Sequence, residues 1–279
     1  MTRTDAATKQ LTAESADGCP ILAYDEGSGP VTVIMAGGGL DDGRGYARLA
    51  AQLTGSNRVL RVVRRQYRTD LARWWPVNIA DEASDVVALA RAAGRPCYVF
   101  GHSSGGVVAL EAALAAPEYV DALAVYEPAI DLAELPLGTP TATIAARQAL
   151  DAGQAGRALE IFLREMIQVP PLPAKLGRLL ALLPRFRNQL IPGQIADQEA
   201  LERLGDRLAA YRAMRQHVLL IAGTKSPEHL RRRTELVQNA LSSSEMRWLH
   251  GARHSGPVTK ANGLAQLLHA DIGAQIVRH

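Results

Sequence analysis

Residues 97–106 read Cys-Tyr-Val-Phe-Gly-His-Ser-Ser-Gly-Gly. The first four side chains are apolar or aromatic, which predicts a short buried strand. Residues 107–116 are apolar except for Glu111 and predict a helix that stops before Pro117. Between these elements the chain must turn sharply, and the glycines on either side of Ser103 are typical of such a turn. The stretch therefore predicts a strand, a tight turn that carries Ser103, and a helix.

The turn fits the pattern G-x-S-x-G at Gly101, Ser103 and Gly105. Ser103 Oγ is expected at the amino end of the following helix, where backbone N–H groups stabilise a developing negative charge. A serine hydroxyl is a weak nucleophile at neutral pH and needs a neighbouring base. The alternative is a turn rich in glycine and serine without chemistry, but the strand and helix around it favour a nucleophile.

Short apolar runs and helical patterns alternate along most of the chain, which is typical of a parallel sheet layered between helices. The apolar runs predict strands at residues 9–15, 21–24, 31–35, 58–63, 97–100, 123–126, 217–222 and 246–249. The helical patterns predict further helices at residues 43–53, 80–93, 231–241 and 260–276. Gly94 and Pro96 end the second of these helices. We therefore expect an α/β fold.

The segment from residue 132 to residue 212 interrupts this alternation. It has no strand pattern, is rich in Ala, Leu and Arg, and contains seven prolines, so it predicts several short helices. The sheet pattern resumes after it. We therefore expect a core made of residues 1–131 and 213–279, with residues 132–212 inserted as a helical lid.

With these features the chain resembles proteins of the α/β-hydrolase fold, from about residue 20 to its C-terminus. The resemblance implies a mostly parallel central sheet flanked by helices, an inserted helical lid, and Ser103 as the nucleophile. It also implies that the backbone N–H groups of Gly38 and Ser104 form the oxyanion hole. Ala36 stands where a histidine is common in the family. In the family that histidine stabilises the loop, so its absence does not remove the two backbone donors.

The resemblance also implies a histidine and a carboxylate beside Ser103. His254 lies between the last predicted strand and the last helix, where the family places its base, whereas His250 is nearer the strand and is expected to be structural. The turn after the strand that follows the insertion reads Gly-Thr-Lys-Ser-Pro and lacks the usual acid. A minority of the fold takes its acid from the end of the preceding strand, which here offers Glu127, with Asp131 in reserve. The acid holds the imidazole in one tautomer.

Loops that should approach the same edge of the sheet carry candidate pocket residues. Leu40, Trp74 and Trp75 are the predicted substrate-pocket residues, and Tyr67 lies in the same loop region. The two tryptophans either form an apolar wall for a substrate or anchor their loop, and the pattern leaves both open. The insertion has apolar residues at helical spacing that are expected in the core of the lid: Ile161, Phe162, Met166, Leu179, Leu182 and Phe186.

The composition restricts the classes of function. The 279 residues carry a formal net charge of +3, and the densest basic runs, residues 61–68 and 231–233, are expected to be solvated, so no nucleic-acid surface is predicted. Two cysteines without a CxxC pair predict neither a disulfide framework nor a metal site. Residues 1–9 lack a signal-peptide core, and no stretch is long enough to span a bilayer. We expect a cytoplasmic monomer or homodimer without a metal, a cofactor, or a nucleic-acid or membrane partner.

These residues predict a serine hydrolase that cleaves a carboxylic ester or lactone of an apolar small molecule through an acyl-enzyme on Ser103. Two alternatives stay open. Some proteins of this fold use the same site as cofactor-free lyases, cyclases or acyltransferases. In the other alternative, residues 37–43 form a glycine-rich turn after a strand, and Arg64-Arg65 suits a 2′-phosphate, as in an NADP-binding oxidoreductase. That alternative leaves the pattern at residues 101–105 unexplained.

Overall fold

The computed structural model of the chain describes residues 9–94 and 97–276. Eight strands form one sheet: β1 (Gln10–Glu14), β2 (Pro20–Gly27), β3 (Val31–Ala36), β4 (Asn57–Val63), β5 (Cys97–His102), β6 (Val120–Tyr126), β7 (His217–Gly223) and β8 (Ser244–Leu249). The spatial order is β1-β2-β4-β3-β5-β6-β7-β8. β2 pairs antiparallel with β1 and β4, and every other neighbouring pair is parallel. The predicted α/β fold with a mostly parallel central sheet is confirmed.

Helices cover both faces of the sheet: α1 (Ala47–Leu53), α2 (Ile79–Ala93), α3 (Ser104–Ala115), α4 (Pro140–Asp151), α5 (Ala155–Glu165), α6 (Pro171–Gly177), α7 (Ile191–Leu204), α8 (Leu208–Tyr211), α9 (Glu228–Ala240), α10 (Gly256–Thr259) and α11 (Ala261–Ile276). Successive side chains of a strand point to opposite faces. On β3, Ile34 and Ala36 therefore pack with α2, α3 and α9, whereas Val33 and Met35 pack with α1 and α11.

Local side-chain bonds set where several helices begin and end. Asn78 Oδ1 accepts the Asp81 N–H at 3.0 Å, and the Asp81 carboxylate accepts the Asn78 N–H at 3.1 Å, so α2 starts with a reciprocal cap. Gly94, with a φ of 78°, ends α2 as predicted, whereas Pro96 lies outside the described residues. The predicted helix at 43–53 begins only at Ala47, because the Asp41 carboxylate accepts N–H groups inside the preceding turn.

The segment between β6 and β7 is helical. Helices α4 to α8 and two short 3₁₀ or π turns connect the two strands, and they contain a small apolar core of their own around Ala158, Leu159 and Ile195. Phe162 and Met166 are buried there, but the expectation for Leu179 and Leu182 is wrong, because these side chains are 59% and 73% exposed. We call this segment, residues 140–211, the helical insertion.

The basic runs are less solvated than their charge predicted. Arg61, Arg64 and Arg65 are almost completely buried, and each forms ion pairs with carboxylates. A guanidinium is tolerated inside a protein only when carboxylates and hydrogen bonds compensate its charge. Arg233 is also buried, whereas Arg231 is half-buried and Arg232 is exposed. No helix in the described part of the chain is long and apolar enough to cross a membrane.

Candidate active site

Ser103 occupies a strained turn between β5 and α3. Its φ of 53° and ψ of −122° lie in a region that side chains other than glycine rarely adopt. Four backbone bonds hold the turn: the Ser103 N–H donates to Tyr126 O at 3.0 Å, and Ser103 O accepts from Gly106, Ala129 and Val107 at 2.9, 3.0 and 3.4 Å. The bonds come from the end of β6, the loop after it and the helix, so the surroundings keep the serine in this conformation.

The glycines of the motif are required by close backbone approaches. A Cβ atom on Gly101 would lie 2.5 Å from Gly105 O, and a Cβ atom on Gly105 would collide with the carbonyl oxygen of Gly37. Any side chain at either position would push the helix or the loop after β3 away from Ser103. The pattern in the sequence thus reflects the packing of three elements around one turn.

His254 and Glu127 meet Ser103 in a hydrogen-bonded row. His254 Nε2 lies 3.1 Å from Ser103 Oγ, and His254 Nδ1 lies 2.7 Å from Glu127 Oε2. A carboxylate beside Nδ1 places the ring proton there and leaves the Nε2 lone pair facing the serine hydroxyl. The three residues come from the turn after β5, the loop after β6 and the loop after β8, and these strands end at the same edge of the sheet. The structure therefore brings together the residues that the sequence nominated.

Glu127 is fully buried, and β7 fixes it with one hydrogen-bond donor and one acceptor. Its Oε1 accepts the Gly223 N–H at 2.7 Å, while its own N–H donates to Ile221 O at 3.0 Å. Gly223 ends β7, the strand after which most relatives of this fold are expected to place the acid. Here the backbone at that strand end holds the carboxylate supplied by β6. The reserve residue Asp131 is engaged elsewhere, since its Oδ1 accepts the Leu137 N–H at 2.9 Å.

The other histidines take no part in this row. His250 is exposed, His217 bonds to Asp271 at 3.0 Å, and His269 bonds to Gln52 O. His229 is half-buried rather than on the surface, and burial lowers its pKa to about 4.

Tyr46 and His102 form a buried pair that the sequence analysis missed. Tyr46 Oη lies 2.5 Å from His102 Nδ1 and accepts the Gly38 N–H at 2.8 Å. Burial lowers the pKa of His102 well below its usual value and raises that of Tyr46. The hydroxyl therefore donates to a neutral imidazole. No sequence pattern pairs a helix-preceding tyrosine with a histidine 56 positions later, so only the packing reveals this contact.

The predicted oxyanion donor Gly38 needs a correction. Its single N–H already donates to Tyr46 Oη. In the described part of the chain, the N–H of the next residue, Gly39, meets no acceptor. A Cβ atom on Gly39 would overlap Gln194 Oε1, and Gln194 lines a cavity next to Ser103. Ser104 is the first residue of α3, where an N–H has no partner one turn earlier. The Gly39 and Ser104 N–H groups are thus without an acceptor in the described part of the chain, whereas the Gly38 N–H is occupied.

Arg64 ties the turn to three other elements. Its Nη1 donates to Ser104 Oγ at 2.7 Å and to Gly37 O at 3.2 Å, and its Nη2 binds Glu82 at 2.5 Å and Asp197 at 2.7 Å. Burial raises the pKa of Glu82, and the positive charge of Arg64 opposes that effect. Asp197 lies on α7, so this cation connects the core to the helical insertion.

The same contacts rule out the NADP alternative. Arg65, the other arginine assigned to a 2′-phosphate, is occupied by Asp85 and by Asp17 at 2.7 Å. The donors of Arg65 are thus bound to carboxylates of the chain itself, and those of Arg64 to carboxylates, Ser104 Oγ and Gly37 O. No group of three or more His, Cys, Asp or Glu among the residues described here is arranged to hold a metal ion.

A small cavity of about 20 Å³ separates Ser103 from the helical insertion. That is roughly the space of a single water molecule. Ser103, Ser104, His254, Gln194 and Gln198 supply its polar wall. The remaining lining is apolar and comes mostly from the helical insertion: Ala129, Leu137, Phe162, Met166, Ile167, Leu201 and Leu230.

The predicted pocket residues Leu40, Trp74 and Trp75 do not line this cavity. Leu40 packs against the apolar core of the helical insertion, Arg73 covers the ring of Trp74 at 3.8 Å, and Trp75 lines a separate groove on the outside of α7. For the two tryptophans the reason is the anchoring of the loop after β4, since Tyr67 Oη donates to Asp197 at 2.9 Å. This bond fixes the loop against α7, away from the serine.

Comparison with known sequences identifies relatives of the chain. A sequence model of the alpha/beta hydrolase family matches residues 32–267, which is most of the chain. The "Uncharacterized hydrolase YraK" of Bacillus subtilis (strain 168) is 33% identical over 105 residues, which make up 37% of this chain and 38% of that protein. The match with this relative thus spans well under half of its length.

Solved structures share the fold over nearly the whole chain. An alpha/beta hydrolase from Sphaerobacter thermophilus DSM 20745 superposes with a TM-score of 0.74 and 27% identity, covering 92% of this chain and 100% of that one. The enol-lactonase from Burkholderia xenovorans LB400 superposes with a TM-score of 0.76 and 16% identity, covering 94% and 100%. At 16% identity, the likeness to the enol-lactonase shows the fold alone.

Proposed function

The chain belongs to the alpha/beta hydrolase family, and from that membership we propose that it is a serine hydrolase that cleaves a carboxylic ester or lactone of an apolar small molecule. The observation that carries the proposal is the row Ser103–His254–Glu127, with separations of 3.1 and 2.7 Å. These distances are within the reach that general-base activation of a hydroxyl requires. The presence of an enol-lactonase among proteins of the same fold supports the choice of substrate class.

In the proposed reaction, His254 Nε2 removes the proton of Ser103 Oγ as that oxygen attacks the substrate carbonyl carbon. The N–H groups of Gly39 and Ser104 stabilise the oxyanion, and Glu127 stabilises the imidazolium. His254 then protonates the leaving alcohol, and an acyl-enzyme remains on Ser103. Water, deprotonated by the same nitrogen, attacks the acyl group, and the return of the proton to Ser103 releases the acid. The balance needs no metal or organic cofactor.

We also propose that residues 132–212 act as a lid over a core made of residues 1–131 and 213–279. The cavity of about 20 Å³ is too small for an ester. Its roof comes from α5 and α7 and from residues next to them, so access to Ser103 requires these helices to move. The apolar side chains of the roof favour an apolar acyl or lactone group.

The proposal is tested with a fluorophosphonate probe and a series of p-nitrophenyl esters of increasing chain length alongside lactones. Ser103→Ala should abolish labelling and lower kcat by about a million-fold. Ser84→Ala is the matched control, because that hydroxyl only donates to Ala80 O on α2. If labelling survives in Ser103→Ala, the nucleophile is another residue. If the probe labels Ser103 but neither esters nor lactones turn over, the hydrolytic assignment is wrong.

A further inference from the structure

The outer surface of the helical insertion exposes a cluster of leucines. Ten large hydrophobic residues of the described chain are exposed, and six of them fall within twelve positions. We call these six the leucine face: Leu172, Leu176, Leu179, Leu180, Leu182 and Leu183, which are between 37% and 73% exposed. The other four are single residues in separate elements. Scattered apolar residues on a surface are ordinary, whereas a contiguous cluster marks an interaction site.

The local sequence builds this face by reversing the usual pattern of a helix. Leu172, Leu176, Leu179 and Leu183 recur at helical spacing and point outward. On the inward side α6 carries the completely buried Ala174. A helix of a water-soluble protein normally buries its large apolar side chains and exposes polar ones. Nothing in the described chain covers these leucines, so their exposure calls for an outside partner.

The segment that carries the leucine face has charged side chains of one sign only, and carboxylates from outside the segment pair with two of them. Residues 166–196 contain four basic side chains and no Asp or Glu. Arg178 lies 3.4 Å from Glu160, and Arg185 pairs with Asp42. Lys175 and Arg187 are exposed, and neither has a carboxylate within salt-bridge distance in the described part of the chain. An apolar face bordered by unpaired cations is complementary to a surface with an apolar interior and a negatively charged outer layer.

We propose that the leucine face docks onto an anionic lipid–water interface. Leucines inserted among acyl chains, with lysine and arginine at the level of the headgroups, are how amphipathic helices bind such interfaces. Pairing with a second copy is disfavoured, because a two-fold contact through this face would bring the unpaired cations of one copy near those of the other. A protein partner is less suited, since the face lacks the tryptophan and tyrosine anchors that dominate protein interfaces.

The position of the face relates it to the cavity. Helix α5 supplies Phe162 to the cavity lining on one side and contacts α6 on the other, where Leu163 lies close to Gly177. Docking would therefore place the roof of the cavity at the lipid surface. The sequence predicts no membrane partner because no stretch is long enough to span a bilayer, but binding to one leaflet requires no such stretch.

The experiment measures binding of the full chain to vesicles by flotation. One set of vesicles is phosphatidylcholine alone, and the other is phosphatidylcholine mixed with phosphatidylglycerol. The wild type should float with the mixed vesicles only. Leu179→Ser combined with Leu182→Ser should weaken binding by about ten-fold for each leucine, and Lys175→Gln by about five-fold. Ile144→Ser is the matched control, since Ile144 is 56% exposed outside the face, and it should bind as wild type.

Three results would overturn the proposal. The first is no flotation with mixed vesicles. The second is equal flotation with both sets, which would remove the role of charge. The third is a dimer by light scattering that dissociates in the double leucine variant, which would assign the face to a second copy. Binding does not depend on turnover, so Ser103→Ala should float as wild type. The leucine variants, in turn, should keep full kcat on a soluble ester.

Discussion

The floor and the roof of the cavity are built on different physical principles. On the floor, Ser103, His254 and Glu127 each face a specific partner at hydrogen-bonding distance, and Arg64 fixes the turn from below. Apart from Gln194 and Gln198, the roof consists of apolar side chains such as Phe162 that touch each other without directional bonds. Hydrogen bonds tolerate displacements of only a few tenths of an ångström, whereas apolar side chains can exchange one set of neighbours for another.

This difference separates the effects of substitutions. A change on the floor alters the position or protonation of reacting atoms, so it should lower kcat for every substrate. A change in the roof alters the size of the space above Ser103, so it should alter the preference among substrates. Three pairs of variants test this distinction.

The largest effect is expected for Glu127→Gln. The glutamine oxygen would accept the Gly223 N–H, so its NH₂ group would face His254 Nδ1. The imidazole would then carry its proton on Nε2 and could not act as a base, which should lower kcat by about 10,000-fold. Asp131→Asn is the control, because Asn Oδ1 can still accept the Leu137 N–H. Steady-state kinetics of both variants check this, and the opposite ranking would assign the acid to Asp131.

An intermediate effect is expected for Arg64→Lys compared with Arg65→Lys. Both arginines are buried between two carboxylates, so both variants should lose about 3 kcal/mol in the free energy of unfolding. Only Arg64 contacts Ser104 and Gly37. A lysine provides one point charge instead of a planar fork. The loop and the turn should then shift, and kcat should fall by about ten- to a hundred-fold.

The measurements for this pair are denaturant unfolding, kcat and KM separately, and the rate of fluorophosphonate labelling. Arg65→Lys should keep kcat, KM and the labelling rate despite its loss of stability. A purely structural role for Arg64 would instead give two variants with the same kcat, and that result would remove Arg64 from the positioning of the turn.

The smallest effect on turnover is expected for Phe162→Ala in the roof. Removing this buried ring enlarges the space above Ser103, so the ratio of kcat/KM for long to short acyl esters should rise about ten-fold. Phe186→Ala is the control, because Phe186 belongs to the same apolar core but does not line the cavity. Both variants are compared on the p-nitrophenyl ester series. An equal shift of chain-length preference in the two variants would contradict the assignment of the roof.

Much of the fold and part of the site follow from patterns that are local in the chain. The alternation of apolar runs predicted the sheet because the period of side chains along a strand depends on neighbouring residues alone. The glycines beside Ser103 predicted the turn for the same reason. Glu127 and His254 were nominated from chain order, since parallel strands open at one edge of the sheet. The structure brings the three together, while their roles in catalysis stay predictions.

Other features depend on contacts between elements distant in sequence. The Gly38 N–H meets Tyr46 from the next helix region, which moves the open amide to Gly39. Trp75 lies outside α7 because its loop is tied to that helix, and Arg64 joins Glu82 and Asp197, which are 18 and 133 positions away along the chain. A sequence pattern reports the period and the turn of one segment. Which partner a side chain meets across segments is fixed by packing, because only the assembled layers bring those atoms within bonding distance.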